Sequence, residues 1–333
     1  MTALVTEPAM TSEFDLVQQF FTRPVPGFAS GAVLGVGDDA ALLQVSPGKL
    51  LAVSSDMLVA GRHFLPDTDP YLLGHKTLAV NLSDLAAMGA TPRWATLALA
   101  LPEVNEAWLA AFSRGFFDLA DRFSVSLVGG DTTRGPLNMC VTIFGETDAR
   151  ALRRDAAQVG DDIWVSGDLG GAALGLTHLQ GEITLNADAA VASLTRLHRP
   201  EPRVALGLAL AQLPRIAAID ISDGLLADLG HILQRSGVGA EIELASVPAH
   251  SALLALLPGS ALARRCLLAG GDDYELCFCA SVDDASSVVA AGAAAGVAVH
   301  RIGRIESNLG LRVIGQDGQQ LQIQERGFDH FAN

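Results

Sequence analysis

Two α/β domains are the architecture this sequence predicts, on three observations. The chain has 333 residues, more than a single hydrophobic core usually serves. Half of it is hydrophobic and only 18% is charged, enough apolar material for large cores and the opposite of a disordered composition. In both halves short apolar runs alternate with apolar stripes of helical period, the pattern of mixed α/β folds. The polar stretch "DARALRRDAAQVGDD" at 148–162 falls between them. It places the boundary near residue 150, with an N-terminal domain over 1–149 and a C-terminal domain over 150–333.

The elements follow in order. "SEFDLVQQFFT" at 12–22 predicts an amphipathic helix, with Ser12 at the cap, Asp15 three residues later, and Phe14, Val17, Phe20 and Phe21 on one stripe. A strand is expected at about 49–54 and a helix opening at Asp69 and Pro70, both flanked by turn residues. "WATLALALP" reads as a strand, Asn105 to Phe123 as a helix, and "VSLVGG" and "MCVTIFGET" as strands. After the linker, the strand "IWVSG" leads through glycines into the helix "GAALGLTHL". The strand "RIAAIDIS", the helix "LLADLGHILQRS", the strands "GAEIELA" and "YELCFCA" and an Ala/Val-rich helix near 283–295 complete the second half. Similar Gly-Asp elements recur in both halves without a clean sequence repeat.

Charge and cysteines narrow the class. A net charge of −15 disfavours nucleic acid, and any anionic substrate has to arrive with masking cations. Cys140, Cys266, Cys277 and Cys279 are too few and scattered for a disulfide framework, and the pair in "ELCFCAS" reads as buried thiols on one strand face. No apolar run spans a bilayer and "MTALVTEPAMTSEF" lacks the pattern of a signal peptide, so a soluble cytoplasmic protein is expected, with no membrane partner.

Four times an apolar run ends in Gly and Asp together: "GVGDDAALL" at 35–43, "VGGDTT" at 128–133, "DISDGL" at 220–225 and "AGGDDYEL" at 269–276. Solvated turns use the same residues, but four repeats call for one explanation. Two carboxylates about 4 Å apart repel by roughly 4 kcal/mol at an effective dielectric near 20, so a cluster of them needs protons or metal ions. Oxygen-only ligands select hard cations, Mg²⁺ first among them, which shares its shell with water and substrate phosphates. Adjacent glycines let phosphate oxygens approach main-chain N–H groups. The pattern suggests a metal-bridged polyphosphate site that uses no P-loop, dinucleotide fingerprint, H-E-x-x-H helix or nucleophile elbow.

"HKTLAVNLSDLAAMGATP" at 75–92 is a helix pattern with polar cargo. Thr77, Asn81, Asp84 and Met88 recur so that Asn81 and Asp84 share a face, which is either a wet stripe or part of the site.

With these stretches in view, the chain resembles the bacterial thiamine-monophosphate kinases. The resemblance rests on "GVGDDAALL", "SSDMLVAGRHFLPDTDP", "KTLAVNLSDLAAMGATP", "LVGGDTTRGPL", "DISDGLLADLGHIL", "AGGDDYELCF" and "RGFDHF", in the family's order from about residue 30 to 331. It implies an aminoimidazole-ribonucleotide-synthetase-like fold, with an N-terminal α/β domain that dimerises through its sheet and a C-terminal α/β domain over the active cleft. It implies direct transfer of the ATP γ-phosphoryl group to thiamine monophosphate, giving thiamine diphosphate in the last step of its biosynthesis. By resemblance Asp39, Ser54, Ser55, Asp56, Asp84, Asp131, Asp220 and Asp223 hold several Mg²⁺ ions, with Asp84, Asp131 and Asp223 central to catalysis. Gly130, Asp131, Arg154 and Ser222 fall to ATP, and His63, Asp272 and Phe328 to thiamine monophosphate.

Two positions depart from the family's pattern: Asp272 stands where Glu is common, and Glu325 where an aromatic residue can precede the closing motif. Plainer roles stand beside several of these: a surface or core histidine for His63, an exposed arginine pair for Arg153 and Arg154, a core ring for Phe328. Asp228, beyond Asp223 on the same helix, reads as a solvated helix residue. Two rivals remain at this point: another ATP-dependent enzyme of the superfamily, such as selenophosphate synthetase or aminoimidazole ribonucleotide synthetase, and a non-catalytic thiamine- or nucleotide-binding protein. No cysteine precedes Cys140, unlike the reactive N-terminal residue of the selenophosphate enzymes.

Overall fold

A computed structural model of the chain describes residues 12–23, 31–257, 260–322 and 327. The cap expected at the first helix forms: the Ser12 N–H donates to Asp15 Oδ2 at 3.0 Å and the Asp15 N–H to Ser12 Oγ at 3.2 Å. Helix α1 (Glu13–Leu16) then widens into a π-turn over Val17–Phe21 instead of continuing as regular helix. The Thr22 hydroxyl donates to the Val17 carbonyl five residues back, at 3.1 Å, which suits the wider turn.

Strands β1 (Ala32–Leu34) and β2 (Leu42–Leu43) pair antiparallel across the "GVGDD" turn. Strand β3 (Leu50–Val59) runs well past the predicted end at 54, because Ser54, Ser55 and Asp56 continue the alternation although they are not strand-like residues. Helix α2 (Pro70–Ala87), strand β4 (Thr91–Leu101), helix α3 (Glu106–Arg122), and strands β5 (Ser126–Arg134) and β6 (Asn138–Thr147) follow as expected. Asn105 caps α3 by accepting the Trp108 N–H at 3.0 Å. The sheet runs β3-β6-β4-β5, with β4 and β5 parallel.

The second half contributes β7 (Asp162–Ser166), α4 (Gly171–Leu179), α5 (Ala187–His198), α6 (Val204–Leu210), β8 (Ile216–Asp220), α7 (Leu225–Ser236) and β9 (Gly239–Glu243). After these come α8 (Ser251–Leu254), α9 (Ala261–Ala269), β10 (Leu276–Ala280), α10 (Ala285–Ala294), β11 (Val299–Glu306) and β12 (Gly310–Ile314). Six strands form one sheet in the order β12-β9-β11-β7-β10-β8, antiparallel except for the β12–β9 pair.

By proximity of Cα atoms the chain forms two compact units. One comprises Met1–Ser46, Ser55–Leu78 and Arg93–Phe144, the other Pro47–Ser54, Ala79–Pro92 and Gly145–Asn333. In the first, α3 buries Leu109, Phe112, Phe116 and Leu119. Its crossing with α2 has no room for side chains: a Cβ on Gly74 would sit 2.0 Å from the Phe112 carbonyl oxygen, and one on Gly115 1.9 Å from that of Tyr71. In the second unit the core is aliphatic, built from Ile163, Val165, Ile219, Leu229, Ile232, Ile242 and Ile302 around the central strands. A similar close approach occurs there, where a Cβ on Gly207 of α6 would meet the Ala86 carbonyl oxygen at 2.0 Å. All four cysteines are free, and burial pushes the Cys277 and Cys279 thiols well above their ordinary range, as inert core thiols should be. Among the described residues no helix is long and apolar enough to cross a membrane.

Candidate active site

In the first unit a cavity of about 820 Å³ is walled on one side by Val36–Asp39 and on the other by Gly129–Thr132 of β5. Phe14, Gln18 and Phe21 contribute from the N-terminal turn. Asp39 and Asp131 are both exposed and both line this cavity, so the structure brings these two expected ligands to one space. The Asp39 N–H donates to Asp38 Oδ1 at 2.9 Å, which ties the adjacent carboxylates into a turn. Gly130 opposes Leu97 in the parallel pair, and a Cβ there would lie 1.9 Å from the Leu97 carbonyl oxygen. With φ at +154°, only glycine suits that position, and it leaves the main chain bare on the cavity side.

Ser55 and Asp56 lie on β3, where the period of two sends their side chains to opposite faces. Ser55 Oγ donates to the Val141 carbonyl at 3.1 Å and meets Thr142 Oγ1 at 3.0 Å, against β6. His63 sits in the turn after β3, with Nδ1 accepting the Val59 N–H at 2.9 Å. That bond places the imidazole proton on Nε2, which makes Nε2 a donor.

The second unit gathers a larger share. Ser54 Oγ donates a short hydrogen bond to Asp84 Oδ2. The neighbouring Ser83 Oγ donates to Asp220 Oδ2 at 2.8 Å. Two successive residues of α2 thus engage β3 and the end of β8. Thr77 and Asn81 are buried, which excludes the wet-stripe reading of this helix face. Burial raises the Asp84 carboxyl above its ordinary value, against the Ser54 hydrogen bond and the Arg154 charge, which lower it. Arg154 is exposed, whereas its neighbour Arg153 is committed to Asp155 at 2.6 Å.

Ser222 and Asp223 occupy the turn between β8 and α7, and Asp272 lies beside them: its N–H donates to the Ser222 carbonyl at 2.9 Å. Asp272 holds the left-handed conformation, φ +69°, and Tyr274 Oη donates to its Oδ1 at 3.1 Å. Gly327 packs on the same turn, where a Cβ would come within 2.8 Å of the Asp223 carbonyl oxygen. The residue that follows, Phe328, and Glu325 lie outside the described residues.

One residue emerges that sequence reasoning did not single out, Ser83, and one reading is corrected, that of Asp228 as a solvated helix residue. Ser83 orients Asp220. Asp228 is buried at 2% exposure, not solvated, and burial, with the Asp223 charge, pushes its carboxyl up to about 7. One signal was available: α7 has glycine at its N-cap, which offers no side chain to the N–H groups of that turn.

The donor set suits a hard cation. Ser54, Asp84 and Asp220 offer oxygen only, and Asp84 is a carboxylate whose burial calls for positive charge. Among the described residues no three His, Cys, Asp or Glu side chains converge as a complete metal site.

Two α/β units carrying Gly-Asp turns define the class. Residues 37–147 match the family of AIR synthase related proteins in their N-terminal domain, and residues 158–316 match its C-terminal domain. Within that class the chain belongs to the thiamine-monophosphate kinase family. It is 47% identical to the thiamine-monophosphate kinase of Escherichia coli strain K12 over 96% of this chain and 98% of that one. The crystal structure of thiamine-monophosphate kinase from Stenotrophomonas maltophilia K279a is 51% identical, with a TM-score of 0.80 over 87% of this chain and 92% of that one. A solved complex, AaThiL with AMPPCP and TMP, is 29% identical, with a TM-score of 0.74 over 99% of this chain and 100% of that one.

Proposed function

We propose that this chain phosphorylates thiamine monophosphate with ATP, moving the γ-phosphoryl group directly onto the acceptor phosphate to give thiamine diphosphate, the last step in making that coenzyme. Family membership over nearly the whole length supports the reaction class. The observation that carries it is the pair of adjacent contacts from one buried helix, Ser54 to Asp84 and Ser83 to Asp220. Ser and Asp are poor helix formers, whereas a polyphosphate site makes use of such oxygen ligands.

The acceptor is already a phosphate, largely ionised near neutral pH, so the protein has no strong base to supply. Its task is positioning and charge balance through a loose transition state. Ser54, Asp84, Asp220 and Asp223 in one unit, and Asp39, Ser55, Asp56 and Asp131 in the other, are the groups that would hold Mg²⁺. When bound there, Mg²⁺ supplies the charge neutralisation that lets two polyanions approach. Asp84, Asp131 and Asp223 matter most for turnover in this reading. Gly130 and Ser222 present main-chain and hydroxyl groups to ATP alongside Asp131, and Arg154 adds positive charge near Asp84. His63 offers Nε2–H to the thiamine monophosphate end, with Asp272 and Phe328 favouring its cationic ring.

The exposed face of β3 carries Leu51, Val53 and Met57 at the edge of its sheet, and we take it as the surface through which two copies pair. A cytoplasmic enzyme is the corresponding location. The deciding assay supplies ATP, Mg²⁺ and thiamine monophosphate and quantifies thiamine diphosphate by chromatography. Product is expected, with free thiamine a poor acceptor; equal or better turnover of free thiamine refutes the assignment.

A further inference from the structure

Asp228 lies in the first turn of α7, wholly within the second unit, and is 2% exposed. A single oxygen, Oδ2, accepts three main-chain N–H groups: Ser222 at 3.0 Å, Asp223 at 3.1 Å and Gly224 at 3.0 Å. Gly224 occupies the N-cap and has no side chain to accept from the orphan donors of the helix. The usual Ser, Thr, Asn or Asp has no room there, since a Cβ on Gly224 would sit 2.7 Å from the Ala269 carbonyl carbon. Asp228 takes the N-cap residue's own N–H and those of the two residues before it, not the first-turn N–H groups that a capping side chain would accept.

The other edge of the turn is held as well. The Tyr274 N–H donates to the Ile221 carbonyl at 2.8 Å and the Asp272 N–H to the Ser222 carbonyl at 2.9 Å. Both donors are non-glycine residues at positive φ, +50° for Tyr274 and +69° for Asp272, a conformation that costs energy unless its surroundings enforce it. Residues 221–224 are thus gripped by two donors on one side and one carboxylate on the other.

A cap that only stabilised α7 would serve the N–H groups of the helix itself. Here the bonds reach back to Ser222 and Asp223, the residues that follow Asp220 and carry site groups. We infer that Asp228 is a positioning residue that sets the main-chain course of the Asp220–Asp223 turn and so the aim of its side chains. What that turn holds rests on the reading under Proposed function; that Asp228 holds the turn does not.

The test uses the full chain and two variants: Asp228→Leu, similar in size with no acceptor, and Asp228→Asn, which keeps one acceptor oxygen. In the metal-free, nucleotide-free wild type, amide exchange of Ser222, Asp223 and Gly224 is expected to be slowed as in the neighbouring strand. In Asp228→Leu those amides should exchange about 10- to 100-fold faster, the range for losing hydrogen bonds to a charged group, while Ile216–Ile219 stay protected. Turnover should fall by roughly the same factor or more, with KM for thiamine monophosphate nearly unchanged, and Asp228→Asn should recover most of both losses.

Unprotected amides in the wild type overturn the inference, and this holds even if Asp228→Leu does not fold. A folded Asp228→Leu with lowered melting temperature but wild-type kcat overturns it too, because that is the signature of a cap alone. If the wild type makes no thiamine diphosphate, the functional reading fails, while the exchange data still decide what Asp228 does.

Discussion

Asp84 combines burial, a short bond from Ser54 and a nearby arginine charge. In the absence of metal such a carboxylate is a strained component, because its charge has lost water and regained only part of that loss. Asp84→Asn keeps the shape and removes the charge. The variant should fold, match or exceed the metal-free wild type in melting temperature, and lose about 10²- to 10³-fold in turnover, the usual scale for removing one preorganised electrostatic contact. Near-normal turnover at saturating Mg²⁺ would remove Asp84 from the ion's shell. Asp272 calls for a different signature. The Tyr274 hydroxyl holds its carboxylate at one end, and the turn presents it beside Ser222. If it greets the thiazolium cation, Asp272→Asn should raise KM for thiamine monophosphate roughly tenfold, about 1.4 kcal/mol of lost binding, with kcat intact, and Asp272→Glu should be tolerated. A rise confined to KM for ATP would put Asp272 at the other substrate.

At the scale of elements, the segment that leads into β10 carries a buried carboxylate with many partners. Glu275 is 1% exposed at its side chain and receives Arg203 through two bonds at 2.7 and 2.5 Å, Arg196 at 2.7 Å and Ser166 at 2.5 Å. Burial raises its carboxyl, but the Arg203 bonds and the two guanidinium charges win and hold it below the ordinary value. Glu275→Gln should therefore cost about 3–5 kcal/mol in urea unfolding, since it strands two partly buried cations. Arg153→Ala at the exposed pair should leave the midpoint near wild type. Next to it, burial pushes Asp273 up to about 8 from 3.8, and its Oδ1 has no hydrogen-bond partner. The native state then keeps a proton that the unfolded chain releases above about pH 4. The contribution is complete at acid pH and is lost as pH rises through about 8, with a slope of at most about 1.4 kcal/mol per pH unit. Urea midpoints at pH 5.5 and 8.5 should fall in the wild type and differ less in Asp273→Asn.

The same elements show how much of the fold was legible beforehand. α4 and α7 are where their sequences predict: α4 follows a Gly-rich entry and is apolar nearly all round, and α7 has one buried apolar face. The short helices α6 and α8 were not assigned, being too brief to display a helical period. β11 was not assigned either: a register shift between Arg301 and Gly303 breaks the alternation that marks a strand. The first helix was foreseen but not its π-turn, since a hydroxyl reaching back five residues leaves no mark on an apolar stripe.

For the whole molecule, a charge of −15 means that ATP and thiamine monophosphate approach a like-charged body, so in the proposed reading Mg²⁺ would ease the encounter as well as hold the phosphates. Chelation should abolish turnover without unfolding the chain, which scattering and circular dichroism can verify together. Pairing of two copies through β3 predicts a dimer mass by light scattering, and Val53→Glu with Met57→Glu should yield monomer by charging a face whose residues are 54% and 53% exposed in the single chain. The candidate site was readable in outline because Gly-Asp turns and the α2 motif are local in sequence. Ser83 and Asp228 were not, because their roles depend on which main-chain groups the fold leaves without partners.

The glycine crossings of α2 bear on how such a protein can diverge. Where Gly74 and Gly115 face the main chain across the α2–α3 crossing, and Gly207 meets Ala86, helix spacing is set by main-chain atoms and no side chain acts as a shim. Apolar core positions can then drift among residues of similar volume, at some expense in melting temperature, while Ser83 and Asp84 keep their places. The three glycines cannot drift in that way: even Gly115→Ala inserts a methyl where an oxygen lies 1.9 Å away. Lineages of this enzyme should therefore change core composition freely and these contacts hardly at all, and a random-mutagenesis library selected for thiamine prototrophy should return the same division.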